Sequence, residues 1–532
     1  MEARGAGLST PLSPQAKKPY TKSMPGFHIE HFGCRAARAD GEAVTGRLRA
    51  AGLSEQPASE ADVVIVNTCS VTAEADRAAR AFVRRSHRLN PAARIVVTGC
   101  YAQRAPQELA AMEGVAAVVG NSHKALTPEI VLQMASGRSV DAAATPEIVP
   151  VASLLARSAP ASVPVCHPND KDPSLGAPVW VDGEFAHSFI EDVHLLPGTQ
   201  TRPNLKIQEG CGNRCTFCVI PFTRGPSQSL PRAALLRQIE EFVTAGGNEL
   251  VLSGINLGRW GRDLPAVNGA PQPTLAELVR EIIERTALPR LRLSSIEPMD
   301  WDEAMIALLR EFGENGTAGR RTSAYRCGGR LARHAHLPLQ SGSDAVLRRM
   351  HRRYRPWHYE EKVRELFEAA GPDLTLGADV MVGFPGETDR EFDETMEFVR
   401  ALPFGYLHLF PFSPRPGTPG WALHAQSPVA PKAVEERMAA LRALAAEKSR
   451  THRMNFAGRE LAAITLHTPE ALAARGRTAA LTENFLPVEI EERMPANRLV
   501  CVQLAGLTGE DALEGRVAIE QAAEKPALCN VL

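Results

Sequence analysis

Residues 209–221, EGCGNRCTFCVIP, set Cys211, Cys215 and Cys218 in a C-x3-C-x2-C array on one tight loop. Three thiolates this close can hold an iron–sulfur cube by three corners, which leaves the fourth iron open to a small molecule. A structural zinc site needs four closed ligands, usually as two C-x2-C pairs, and this loop offers no fourth. An ordinary ferredoxin-type cluster needs a further cysteine nearby, which is also missing.

Downstream of the array, apolar runs alternate with helical stretches. NELVLSG, RLRLSSI, HAHLPL, LGADVMVGF and YLHLFPF each read as a strand paired with a helix. Repeats of this kind build a partial βα barrel, whose active site lies at the strand C-termini. Upstream, GFHIEHFGC ends at Cys34, ADVVIVNTC at Cys69 and ARIVVTGC at Cys100. Each is a short β-rich run followed by a helical stretch, at 40–51, 73–89 and 105–112. The spacings of 35 and 31 residues imply βαβ units in a parallel sheet, whose strands end on one ligand-binding edge. Three cysteines at strand ends therefore converge, and the pattern predicts a second three-ligand cluster. Beyond residue 455, short alternating strands with Gly punctuation suit a small five-stranded OB-like barrel.

The 532 residues are enough for several cores, and 44% hydrophobic with 23% charged residues is ordinary for a globular chain. No run approaches the ~18 apolar residues of a membrane helix. The N-terminus lacks an apolar signal core, so a cytoplasmic protein is expected. Ten cysteines in that setting point to clusters, and a net charge of −1 gives no global attraction to nucleic acid. The expected division is a disordered tail (1–24), an N-terminal α/β domain (25–135), a Pro/Ala/Ser-rich linker (136–200), the barrel (201–445), the small β-barrel (446–516) and a tail (517–532).

As a set, VVIVNTCSVTAEADRAAR, IVVTGCYAQRAPQEL, LVLSGINLGRWGRDL, RLSSIEPMD, HAHLPLQSGSDAVLRRMHRRY, GADVMVGFPGETDREF and PFSPRPGTPGW resemble the radical S-adenosylmethionine methylthiotransferases. The resemblance covers roughly residues 26–125 and 203–516. It implies two [4Fe–4S] clusters, one on Cys211, Cys215 and Cys218 and an auxiliary one on Cys34, Cys69 and Cys100. It implies S-adenosylmethionine on the open iron, with Gly247, Glu249, Ser295, Glu297, Gln340, Ser341 and Asp379 around it. A 5′-deoxyadenosyl radical would then abstract hydrogen from an aromatic C–H that acid–base side chains cannot attack. The implied substrate is adenosine 37 of a tRNA anticodon loop, and the small barrel would be an RNA-binding TRAM domain. A reductant such as flavodoxin or ferredoxin and a monomeric chain are also implied. NTCSVT and LSGINLGRWG look more like the N6-threonylcarbamoyladenosine branch than the isopentenyl branch, which usually carries Gln-Asn where Ile255 and Asn256 stand. The same chemistry on an isopentenyl-type adenosine or a ribosomal protein, and a non-catalytic Fe–S RNA-binding protein, are the competing readings.

Departures from the family pattern are Ala37 and Arg38 after the first cysteine, and Gln228 and Leu230 after the radical array. A Gly/Arg-rich insertion, residues 313–330, interrupts the barrel. Arg475 and Arg477 are candidates for a basic face on the small barrel. LRRMHRRYRPWHYEEK interleaves Arg with Tyr354 and Trp357, a pattern that can bind RNA by charge and stacking.

Overall fold

The computed structural model describes residues 24–136, 177–185, 202–266, 269, 271–313, 328–509 and 512–520. The N-terminal tail and most of the 313–330 insertion lie outside them. Among the described residues no helix is long and apolar enough to cross a membrane.

Strands β1 (Gly26–His31), β2 (Ser54–Glu55), β3 (Val63–Thr68), β4 (Arg94–Gly99), β5 (Val115–Gly120) and β6 (Val179–Trp180) form one parallel sheet in the order β2-β1-β3-β4-β5-β6. Every residue of β3, VVIVNT, is buried, as expected for a parallel strand covered on both faces. Val64 and Val66 pack with Phe82 and Val83 on one face, whereas Val63 and Ile65 pack with Val44 and Leu48 on the other. Helix α1 is Arg35–Ala50 and α2 is Ala73–Leu89. The sequence reading of α2 holds because its ends are marked: the Thr72 side chain accepts from the Ala75 N–H, and Glu74 and Asp76 occupy the first turn. The third expected helix, 105–112, is the short Pro106–Ala110, and a further short helix, α3 (Cys100–Arg104), precedes it, the two separated at Ala105 (φ −140°, ψ 60°). Pro106 excludes its predecessor from the helical region. Strand β6 corrects the reading of 136–200 as linker alone: Val179 and Trp180 extend the sheet beside Val118 and Val119.

In the barrel, β7 (Asn204–Glu209), β9 (Glu249–Gly254) and β10 (Arg290–Leu293) run parallel, with the short β8 (Gln228–Ser229) antiparallel on β7. A parallel bridge from Leu291 to Leu331 carries the wall toward β11 (His334–His336), β12 (Thr375–Val382) and β13 (Phe404–Pro411). Capping boxes at Thr274/Glu277 and Thr388/Glu391 start two of the surrounding helices. Of the departures, Leu230 is buried in this core and its carbonyl accepts from Trp260 Nε1 at 3.0 Å.

The last strands, β14 (Glu460–Thr465), β15 (Thr478–Thr482), β16 (Pro487–Ile490), β17 (Leu499–Leu507) and β18 (Leu513–Glu520), close a five-stranded barrel in the order β14-β15-β16-β18-β17. Its β15–β16 turn plugs the N-terminal end of the larger barrel. Phe485 stacks on His334 (4.4 Å between centroids) and leans on Tyr406 (5.3 Å), and Arg292 Nη2 donates to the Thr482 carbonyl at 3.1 Å. Arg333 joins Glu483 to Asp373, and Arg459 pairs with Asp373 at 2.6 Å. Arg475 and Arg477 are held by Glu489, and Arg477 also by Glu514 at 2.7 Å, so neither presents an unopposed positive charge.

Candidate active site with two cysteine triads

Cys211 stands two residues past the end of β7. Between them Gly210 has φ +69°, and a Cβ there would run into the Pro226 carbonyl oxygen, so glycine alone lets the chain turn off the strand. The loop is then pinned by its backbone: Cys211 N–H donates to the Gly225 carbonyl (3.1 Å) and Cys218 N–H to the Cys215 carbonyl (3.1 Å). Donors point at the sulfurs. Arg352 Nη1 lies 3.3 Å from Cys215 Sγ, the Asn213 N–H 3.4 Å from Cys211 Sγ, and Asn256 Nδ2 3.6 Å from Cys211 Sγ. Burial pushes the Cys218 thiol up to about 12, with the neighbouring Cys215 and Cys211 adding to the rise.

The second triad is assembled by the sheet. Strands β1, β3 and β4 are adjacent, with His31 opposite Asn67 and Thr68 opposite Gly99. Cys69 directly follows β3, Cys100 opens α3 directly after β4, and Cys34 precedes α1. Gly33 (φ +153°) allows the close approach: a Cβ on it would lie 2.7 Å from Cys69 Cβ. Cys69 and Cys100 are buried and Cys34 is exposed. Burial raises the Cys69 thiol to about 12, and Cys100 and Cys34 raise it further. Cys100 Sγ accepts from Asn121 Nδ2 and from Arg224 Nε, both at 3.3 Å.

Both triads fit iron. Each contains at least one thiol that burial makes harder to ionise, Cys69 in one and Cys211 and Cys218 in the other, and a bound cation is what releases such protons. The cationic and amide donors already aimed at the sulfurs suit thiolates better than thiols. Cys211, Cys215 and Cys218 line one cavity of about 540 Å³, and Cys34 of the second triad reaches the same wall while Cys69 and Cys100 lie behind it.

Its walls also include Ser295, Glu297, Gln340 and Asp379 from the strand ends, together with His336, Tyr406 and His408. Ser295 Oγ and His336 Nδ1 are 2.5 Å apart, and His336 Nε2 and Asp379 Oδ1 are 3.5 Å apart. Gln340 adopts φ +67°, a strained backbone held by its N–H to the Asp379 carbonyl at 2.7 Å.

The profile of the uncharacterized protein family UPF0004 matches residues 26–120, and that of the radical SAM superfamily matches residues 205–399. The threonylcarbamoyladenosine tRNA methylthiotransferase of Bacillus subtilis is 31% identical over 465 residues, covering 87% of this chain and 89% of that protein. The chain belongs to the radical SAM methylthiotransferase family. Its counterpart from Aquifex aeolicus is also 31% identical, over 89% of this chain and 98% of that one. A tRNA-2-methylthio-N(6)-dimethylallyladenosine synthase of Cereibacter sphaeroides is 30% identical over 87% and 92%.

Three of the residues that the resemblance assigned to S-adenosylmethionine lie elsewhere in this methylthiotransferase. Gly247 and Glu249 sit at the start of β9, whereas the cavity meets that strand at its other end, through Ser253, Gly254 and Asn256. Glu249 is fully buried and bound by Arg292 (2.9 Å), Arg290 (3.4 Å) and Arg202 (3.7 Å). Burial would raise its pKa, but those guanidiniums outweigh burial and hold it below the usual carboxylate range. Gly247 packs against the Phe242 ring, which leaves no room for a Cβ. Ser341 is buried beside Thr395, its Oγ 3.0 Å from Thr395 Oγ1.

Sequence reading missed Arg352, Asn256 and the His336–Tyr406–His408 group. The signals were present: LSGIN follows a strand and so exposes its last residues, not NEL. Arg352 hid in the basic run offered above as RNA-binding. That run is split: Tyr354 is buried, Arg352 pairs with Glu297 and Arg349 holds Glu391 at 2.8 Å, whereas Arg348, Arg353 and Trp357 are exposed.

Proposed function

We propose that this chain inserts a methylthio group at C2 of N6-threonylcarbamoyladenosine 37 in a tRNA anticodon loop, in the cytoplasm. The observation that carries the reading is one chamber lined by Cys211, Cys215 and Cys218 and, from the other triad, by Cys34, an arrangement that suits sulfur delivery and radical chemistry on a single base. Bound to Cys211, Cys215 and Cys218, a [4Fe–4S] cluster would supply the electron that cleaves S-adenosylmethionine; a second, on Cys34, Cys69 and Cys100, would carry the sulfur to be inserted.

The chain's own residues then orient the reactants. Arg352 and Asn256 hold thiolates of the radical loop, and Glu297, itself fixed by Arg352, is placed to bind the ammonium of S-adenosylmethionine. Ser253 and Gly254 take the place at the end of β9 that Gly247 and Glu249 cannot. Ser295, Gln340 and Asp379 complete the wall. His336, His408 and Tyr406 make one side of the chamber polar, with hydrogen-bond donors that favour an N6 substituent bearing a hydroxyl and a carboxylate over an apolar isopentenyl group. An anticodon-loop base can be splayed into such a chamber because it is single-stranded. The small barrel is read as a TRAM domain that contacts RNA, with flavodoxin or ferredoxin as electron donor and the chain as a monomer.

The test is nucleoside mass spectrometry on tRNA incubated anaerobically with reconstituted, reduced protein and S-adenosylmethionine. A methylthio increment on the threonylcarbamoyl nucleoside alone is expected. An increment on the isopentenyl nucleoside would move the chain to the other branch. No increment on either, with clusters intact, would favour a protein substrate or a non-catalytic binder.

A further inference from the structure

A buried charge cluster joins the N-terminal sheet to the radical barrel. Asp40 of α1 and Lys124 come from the first; Lys206 and Glu209 of β7 and Arg224 of helix Ile220–Arg224 come from the second. Arg224 has no solvent exposure; its Nη1 donates to Glu209 at 2.8 Å and to Asp40 at 3.0 Å. Lys124 Nζ is 2.5 Å and Lys206 Nζ 2.6 Å from Glu209, and Lys206 also pairs with Asp40. Three cationic side chains thus face two carboxylates. At the far edge of the guanidinium, Arg224 Nε donates to Cys100 Sγ at 3.3 Å. Its Nη2 is buried and, among the described residues, has no hydrogen-bond partner.

We propose that Arg224 is a positioning residue for the auxiliary cluster: anchored on both domains, it fixes the Cys100 thiolate and raises the cluster's reduction potential. The inference rests on the reading of Cys34, Cys69 and Cys100 as cluster ligands. Three thiolates outweigh the charge of an oxidised cube by about one unit, and hydrogen bonds to sulfur and nearby positive charge both stabilise the reduced form. Asn121 Nδ2, also 3.3 Å from Cys100 Sγ, is a neutral donor on the same sulfur and gives an internal comparison. Because Arg224 lies six residues past Cys218 in the chain yet touches the other triad, it also links the placement of the two triads across the domain boundary.

The test uses the full chain with Cys211, Cys215 and Cys218 replaced by alanine, so that only the auxiliary site remains. Iron and sulfide content and an electron paramagnetic resonance redox titration are measured for this parent and with Arg224→Gln, Arg224→Lys or Asn121→Ala added. The expected result is a lower midpoint potential in Arg224→Gln, a smaller lowering in Asn121→Ala, and partial recovery in Arg224→Lys. Lys124 and Lys206 still neutralise Asp40 and Glu209 in the glutamine variant, and the lysine variant keeps the charge if that one fails to fold. Potentials equal to the parent's in the Arg224 variants, with cluster content unchanged, would overturn the proposal alone. A parent that takes up no iron would overturn the auxiliary-cluster reading, and the proposal with it.

Discussion

The two cysteine triads make contrasting sites from the same ligand type. Cys211, Cys215 and Cys218 share one eight-residue loop, shaped by Gly210 and the Cys218–Cys215 backbone bond and tied down by bonds from Thr216 N–H to the Met350 carbonyl (3.1 Å) and from Gly420 N–H to the Thr216 carbonyl (2.7 Å). Cys34, Cys69 and Cys100 are spread over 67 residues and meet only because β1, β3 and β4 are neighbours in a parallel sheet. The first site needs a loop, whereas the second needs a folded domain. A local site should tolerate damage elsewhere, and a dispersed one should report the integrity of the sheet.

The strongest way to break this contrast is ligand removal. Cys215→Ala should abolish 5′-deoxyadenosine release and leave about half the iron per chain. Cys69→Ala should lose the other half while 5′-deoxyadenosine release survives; loss of both activities in Cys69→Ala would mean that the sites are not independent.

Glu249 separates the two ends of the barrel. Glu249→Gln leaves the buried Arg290 and Arg292 and the half-buried Arg202 poorly neutralised and should destabilise the fold by about 3–5 kcal/mol in denaturant titration. Affinity for S-adenosylmethionine, measured by calorimetry on the reconstituted protein, should be unchanged; a large loss would restore Glu249 to the site.

Gly33 sharpens the dispersed case. Gly33→Ala brings a Cβ to 2.7 Å from Cys69 Cβ at φ +153°, a strain of about 1–3 kcal/mol at the triad itself. Iron should fall selectively at the auxiliary site, with the radical cluster's spectrum unchanged.

The effect most remote from the comparison is a pH dependence far from either triad. Burial, helped by Arg453, holds His452 at about 4 against an ordinary 6.5, and its Nε2 lies 2.8 Å from Thr375 Oγ1. The unfolded chain therefore binds the proton first as pH falls. The stabilisation, about 3 kcal/mol, is complete above pH 6.5 and is lost as pH drops through about 4. His452→Gln should flatten the stability profile over that window, and an unchanged slope would assign it to other groups.

Much was legible before folding is considered. The C-x3-C-x2-C array specifies three ligands and an open iron without reference to any other part of the chain, because adjacent residues cannot separate. The periodicities of VVIVNT and LVLSG give strands, and Thr72 with its acidic first turn marks α2 to the residue. Pattern alone could not say which end of a strand faces a ligand. Glu249 and Ser253 lie four residues apart on β9, yet one closes the barrel floor and the other lines the chamber. It also could not separate a buried arginine from a solvated one. Arg352 reads as part of a basic run and Arg224 is not singled out, and only the packing of distant elements puts each against a cysteine sulfur. The sequence by itself determined the ligands and the elements that carry them, since these depend on neighbours along the chain. The tertiary structure decided which charges are buried and what they touch, since desolvation and Coulomb pairing depend on neighbours in space.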